Sequence, residues 1–145
     1  MPINKVRERM TGINLLMPSA AVINSGDVLL FGTGTYIIVG IANSGQNLTT
    51  KPPWLTPNEG YLSLDTEGAF TLTVIAQVSK SPSAGAAIIP GMALYADGGT
   101  YDPVTGITYN NTIDADANGT FIGISEGSLA AGTTGTVNVT LKGAA

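Results

Sequence analysis

The chain has 145 residues, with 19 glycines, eight prolines, no cysteine, no histidine and a formal net charge of −4. One domain fits this length and buries enough surface to fold without a disulfide or a structural metal. Thiol chemistry is excluded, the commonest general base and zinc ligand are missing, and the acidic balance is wrong for a nucleic-acid binder.

Residues 1–24 differ from the rest. Three of the six basic residues, Lys5, Arg7 and Arg9, lie here. Ile3, Val6, Met10 and Ile13 recur at roughly helical spacing, while Gly12 and Pro18 prevent a long helix. The pattern predicts an extended N-terminal arm over 1–24, with one or two helical turns, docked on something else. A secretion signal does not fit: the apolar part runs only from Ile13 to Met17, is broken by Asn14 and stops at Pro18. No apolar run has the length to span a bilayer.

From residue 25 to 145 the pattern is that of a β domain. "DVLLF" and "TYIIVGIA" read as short strands separated by Gly32-Thr33-Gly34. "QNLTTKPPWLTPNEG" reads as a long polar loop carrying the only tryptophan, Trp54. "YLSL" and "AFTLTVIAQV" follow, split by Asp65-Thr66-Glu67-Gly68, and a loop with one helical turn at residues 84–89 comes next. "MALYA" and "GITYNNTI" flank the turn-rich "DGGTYDPVTG", and "TFIGIS" leads to the last strand. In "TVNVTLK", Val137, Val139 and Leu141 alternate with Asn138, Thr140 and Lys142, which places the apolar set on one face. Many short strands, turn signals between them and no helix long enough for a crossover predict an all-β fold. The expected architecture is a compact antiparallel β-barrel or sandwich, jelly-roll-like, with at most one short helix.

Few residues compete for a chemical role. Asp114, Asp116, Asn118 and Gly119 in "TIDADANGTFIG" match the opening of a calcium loop. The twelfth position is Ser125, with Glu126 one residue late, and "Phe-Ile-Gly-Ile" reads as a buried strand rather than an exit helix. Asn118-Gly119 fits a tight hairpin turn with positive φ at both central positions. Asp97 and Asp102 in "DGGTYD" likewise read as turn residues. No metal and no cofactor is expected. A serine nucleophile lacks a histidine, no phosphate-binding loop is present, and glycine-rich "GTGTYIIVG" precedes a strand instead of opening a helix. The chain is expected not to be an enzyme. Four Asn-x-Thr triplets, at 47, 110, 118 and 138, are coincidences expected of an Asn- and Thr-rich chain. Trp54 fits an interface or ligand anchor as well as a side chain that pins its own loop.

"SGDVLLF", "EGYLSLDTEGAFTLTV", "AGAAIIPGMALYADGGTYDPVTG" and "GTFIGISEGSLAAGTTGTVNVTLKG", in that order, resemble the small capsid decoration (cement) proteins of tailed bacteriophages. The matching residues are Gly91, Leu94, Tyr95, Asp97, Ile122, Gly123, Glu126, Ala131, Gly132, Thr134, Val137, Val139 and Leu141. The likeness covers about residues 25–143; the apolar arm and "KPPWLTPNEG" depart from it. It implies a β-rich homo-oligomer, often a trimer, on the outer capsid surface of the virion, made in the host cytoplasm and bracing capsomer junctions. The implied partners are the major capsid protein and further copies of the chain, with no nucleic acid and no membrane. Ile3, Lys5, Val6, Arg7, Arg9, Met10, Ile13, Leu15, Leu16 and Trp54 are the expected contact residues. The alternative is a carbohydrate- or surface-binding β module of a phage fibre or adhesin.

Overall fold

The computed structural model describes residues 12–18, 21–43, 46–47, 61–76 and 87–142. These contain strands β1 (Gly12–Leu16), β2 (Val22–Ile23), β3 (Val28–Phe31), β4 (Ile38–Ala42), β5 (Gln46–Asn47), β6 (Tyr61–Asp65) and β7 (Ala69–Ile75). They continue with β8 (Ala93–Asp97), β9 (Thr100–Asp102), β10 (Ile107–Tyr109), β11 (Thr112–Asp114), β12 (Thr120–Ser125) and β13 (Thr134–Leu141). A six-stranded sheet has the order β1-β6-β4-β3-β10-β9, a five-stranded sheet the order β11-β8-β12-β13-β7, and β2 and β5 form a separate ribbon. Every pairing is antiparallel. The result is an all-β sandwich. β7 and β11, the ends of the five-stranded order, approach each other without pairing, so the sheet stays open and the barrel alternative is set aside.

The core has two layers. Val28, Leu30, Val39 and Ile41 of the six-stranded sheet meet Leu72, Val74, Leu94, Ala96, Ile113, Ile122, Val137, Val139 and Leu141 of the other. The opposite face of the six-stranded sheet is buried too. There Leu29, Ala42, Leu64 and Ile107 pack with Ile13, Met17, Ala21 and Ile23. Successive residues of a strand point to opposite faces, so a sheet covered on both sides needs unbroken apolar runs. "VLLF" and "IVGIA" are such runs.

This second layer corrects the expected arm. Residues 12–16 pair with β6 from Gly12↔Asp65 to Leu16↔Tyr61, and Ile13, Met17, Ala21 and Ile23 are core residues of the β domain. The boundary at residue 24 thus falls inside the sandwich. The apolar spacing read as helical reaches Ile13, which is on a strand, because Ile13 and Leu15 also satisfy period two. Residues 1–11 lie outside the described residues, and so does the first half of the expected turn at 84–89. At its described end Ile88 makes an isolated β-bridge to Leu129.

"GITYNNTI" is two strands rather than one. Asn110, the one non-glycine at positive φ among the described residues (58°), turns the chain between them. Asn tolerates this left-handed conformation better than most residues. β10 stays in the six-stranded sheet and β11 joins the five-stranded one. The Asn111 amide secures the passage, donating to Val28 O and Thr108 O, each at 3.0 Å. β12 carries a bulge between Phe121 and Gly123, which shifts the alternation by one residue. Ile122 is buried, while Phe121 and Ile124 are on the open face, 37% and 38% exposed. "Phe-Ile-Gly-Ile" is therefore only partly a buried pattern.

Candidate binding site

β11 and β12 do not form a hairpin. Both pair with β8, one on each side, so the loop 115–119 crosses over β8. A five-residue crossover leaves backbone amides without ladder partners. The Asp side chains supply them: Asp114 Oδ1 accepts from Asp116 N, and Asp116 Oδ1 accepts from Asn118 N, both at 3.0 Å. Such Asx turns are the local chemistry for which Asp is favoured in loops. The expected hairpin turn at Asn118-Gly119 is corrected, since neither residue has positive φ. Gly119 is needed for space instead: a Cβ there would lie 2.7 Å from Ala96 O. Among the described residues, no three His, Cys, Asp or Glu side chains converge as metal ligands.

"DGGTYD" contains a strand that the turn signals hid, β9. Gly98 takes φ +68°, and a side chain on Gly99 would collide with Asn111 Oδ1, Thr108 and Tyr109 O. Both passages between the sheets, at 98–99 and 110–111, therefore run in contact. Asp102 ends β9 and accepts from Val104 N at 3.2 Å and from Thr105 Oγ1 at 2.8 Å, closing the β9–β10 turn.

These two acidic segments, separate in the chain, meet at one end of the sandwich. There the sheets part to leave an open mouth of about 410 Å³. Leu30 and Ala96 of the core are among its lining. Around them are Gly32, Thr33, Gly34 and Ile37 from the β3–β4 hairpin, Asp97 to Gly99, Tyr101, Thr108 and Asn111, and Asn118 to Thr120. Tyr101 is half-exposed (46%). Beside the mouth, the β3–β4 and β9–β10 hairpin tips are joined by Gly32 N donating to Gly106 O at 2.9 Å. They carry Tyr36 and Val104, exposed to 88% and 86%. In the sequence this place is marked only by three separate turn-rich fragments, "GTGT", "DGGTYD" and "DADANG".

The expected contact residues separate into three groups. Ile3, Lys5, Val6, Arg7, Arg9, Met10 and Trp54 lie outside the described residues. Ile13 is buried in its own domain and Leu15 packs against the same layer, so they serve the fold. Leu16, 44% exposed, is open to a partner. Charge also divides. Three of the six basic residues, with Glu8 alone among the acids, lie in residues 1–24, and the other nine acidic residues lie in 25–145 with Lys51, Lys80 and Lys142.

No family model, curated protein or solved structure matches the chain.

Proposed function

We propose that the chain is a head decoration protein of a tailed bacteriophage, a passive clamp that binds the outer capsid surface as a homo-oligomer. The division of charge is the observation that carries this reading. A β domain over 25–145 with nine acidic residues and three basic ones follows a segment with Lys5, Arg7 and Arg9. Opposite charges placed so steer a basic segment onto an acidic neighbour, either a second copy or a capsid subunit. The sequence likeness to decoration proteins over residues 25–143 supports the same reading.

The clamp needs no reaction. Internal pressure separates capsomers, and a protein bridging several of them must lose its own interfaces before they part. A contact of about 800 Å² per partner suffices for specific binding, and repeated engagement around a symmetric junction multiplies it. In this reading Lys5, Arg7 and Arg9 meet acidic surface, Ile3, Val6 and Met10 bury apolar area beside them, and Leu16 and Trp54 add to the contact.

Decoration of purified, undecorated heads tests the proposal, scored by electron microscopy and co-sedimentation. The full chain is expected to saturate a fixed set of surface positions. A chain lacking residues 1–11, which keeps β1, is expected to stay folded and bind more weakly. Failure of the full chain to bind any head would overturn the reading, and undiminished binding by the truncated chain would remove the arm from it.

A further inference from the structure

We infer that the mouth between the two sheets is a binding site for an uncharged saccharide. Its lining selects this ligand class by what it offers. Asn118, Thr33, Thr108 and Thr120 contribute amide and hydroxyl groups around one opening, beside the Asp97 carboxylate. An amide both donates and accepts, a hydroxyl does the same, and a carboxylate accepts twice. That mixture matches neighbouring sugar hydroxyls, which also donate and accept. Tyr101 stands half-exposed in the same lining, a ring surface for the apolar C–H face of a pyranose.

Other ligand classes fit worse. Among the described residues no Lys or Arg lines the mouth, and Asp97 adds negative charge, so a phosphate, sulfate or carboxylate would be repelled. A calcium ion takes six to eight oxygen ligands, commonly with several carboxylates, whereas among the described residues one carboxylate lines this site. A wholly apolar ligand would strand the polar rim without partners. At about 410 Å³ the volume falls in the range of small-ligand sites, roughly 300–1,000 Å³, and suits one or two sugar rings.

The lining is also held in place before any ligand arrives. Asn111 is fixed by its two carbonyl partners, and Gly99 and Gly119 are packed against Tyr109 O and Ala96 O, too close for a side chain. Gly34, Gly98 and Gly99 line the mouth with backbone in place of side chains. Preorganisation of this kind lowers the cost of binding a small polar ligand.

The site is independent of the clamp reading, because it is tested on the isolated chain. ¹⁵N-labelled full-length protein would be titrated with uncharged tetrasaccharides of α-glucan, β-glucan, mannan and galactan, and with a glucuronic-acid oligomer. At least one neutral sugar is expected to shift the amides of Gly32–Gly34, Gly98–Tyr101 and Gly119–Thr120, with Kd near the weak end of the scale, about 1 mM. The acidic oligomer is expected to bind less well. Tyr101→Ala and, separately, Asn118→Ala are expected to raise Kd about tenfold, a loss near 1.4 kcal/mol, with the amide spectrum otherwise unchanged. Both side chains are exposed, so neither change removes core packing. The inference is overturned if none of the four neutral sugars shifts these amides, if the shifts map elsewhere, or if both variants bind as tightly as the parent chain.

Discussion

The six-stranded sheet is buried on both faces, whereas the five-stranded sheet keeps one face in water, and the chain writes them differently. β3 and β4 are unbroken apolar runs. β7 and β13 alternate, with Leu72, Val74, Val137 and Val139 inward and Thr71, Thr73, Thr136 and Asn138 outward. Even the outward face is ordered by cross-strand pairs. Thr71 Oγ1 donates to Asn138 Oδ1 at 2.8 Å, and the Tyr95 and Phe121 rings pair at 5.8 Å. Such pairs add a few tenths of a kcal/mol to about 1 kcal/mol each. The contrast teaches that hydrophobic pattern reports how many faces of a sheet are covered, and therefore that something must cover β3 and β4 twice.

The contrast can be broken most severely at the shared layer. Val39 is fully buried between the sheets. Val39→Asp would place an unpaired carboxylate there, and the loss is expected to exceed about 4 kcal/mol and abolish the cooperative urea transition. Next, Ile122→Ala in the inter-sheet layer and Leu29→Ala in the outer layer are each expected to cost about 2–5 kcal/mol in chemical denaturation. A loss below about 1 kcal/mol for Leu29→Ala, where Ile122→Ala costs the full amount, would show that the outer layer is not true core. Asp114→Ala removes the acceptor of Asp116 N in the crossover and is expected to cost about 1–3 kcal/mol. Smallest of all, Thr73→Val and Thr136→Val on the open face are expected to change stability by less than about 0.5 kcal/mol. A larger effect would mean that this face is covered in solution. EDTA is expected to leave the melting temperature unchanged, since the aspartates of the crossover serve its own backbone.

The alternation of β7 and β13 and the runs of β3 and β4 were legible because each follows from local burial. The fates of Asn110 and the β12 bulge were not. A strand that changes sheet keeps its strand composition, and only the backbone angle at Asn110 marks the break. β1 was hidden because Gly12 to Met17 satisfies a helical period and a period of two equally well. The mouth was visible only in fragments. "DGGTYD", "DADANG" and "GTGT" each announced a turn, and turn chemistry says nothing about which turns become neighbours. Their meeting depends on two passages between sheets, packed through Gly99 and Asn111, which are long-range facts.

Among the described residues β1 lies at one end of its sheet and is held there by five paired positions to β6. β13, by contrast, lies between β7 and β12 and pairs with both. Mechanical load would therefore travel differently through the two ends of the chain. Tension applied ahead of Gly12 loads one edge strand and first withdraws Ile13 from the outer layer, apart from the inter-sheet layer. Tension applied after Leu141 must shear a strand out from between two others. A tether at the amino-terminal end would thus yield early and reversibly, like a fuse, and leave the rest of the sandwich able to re-seat.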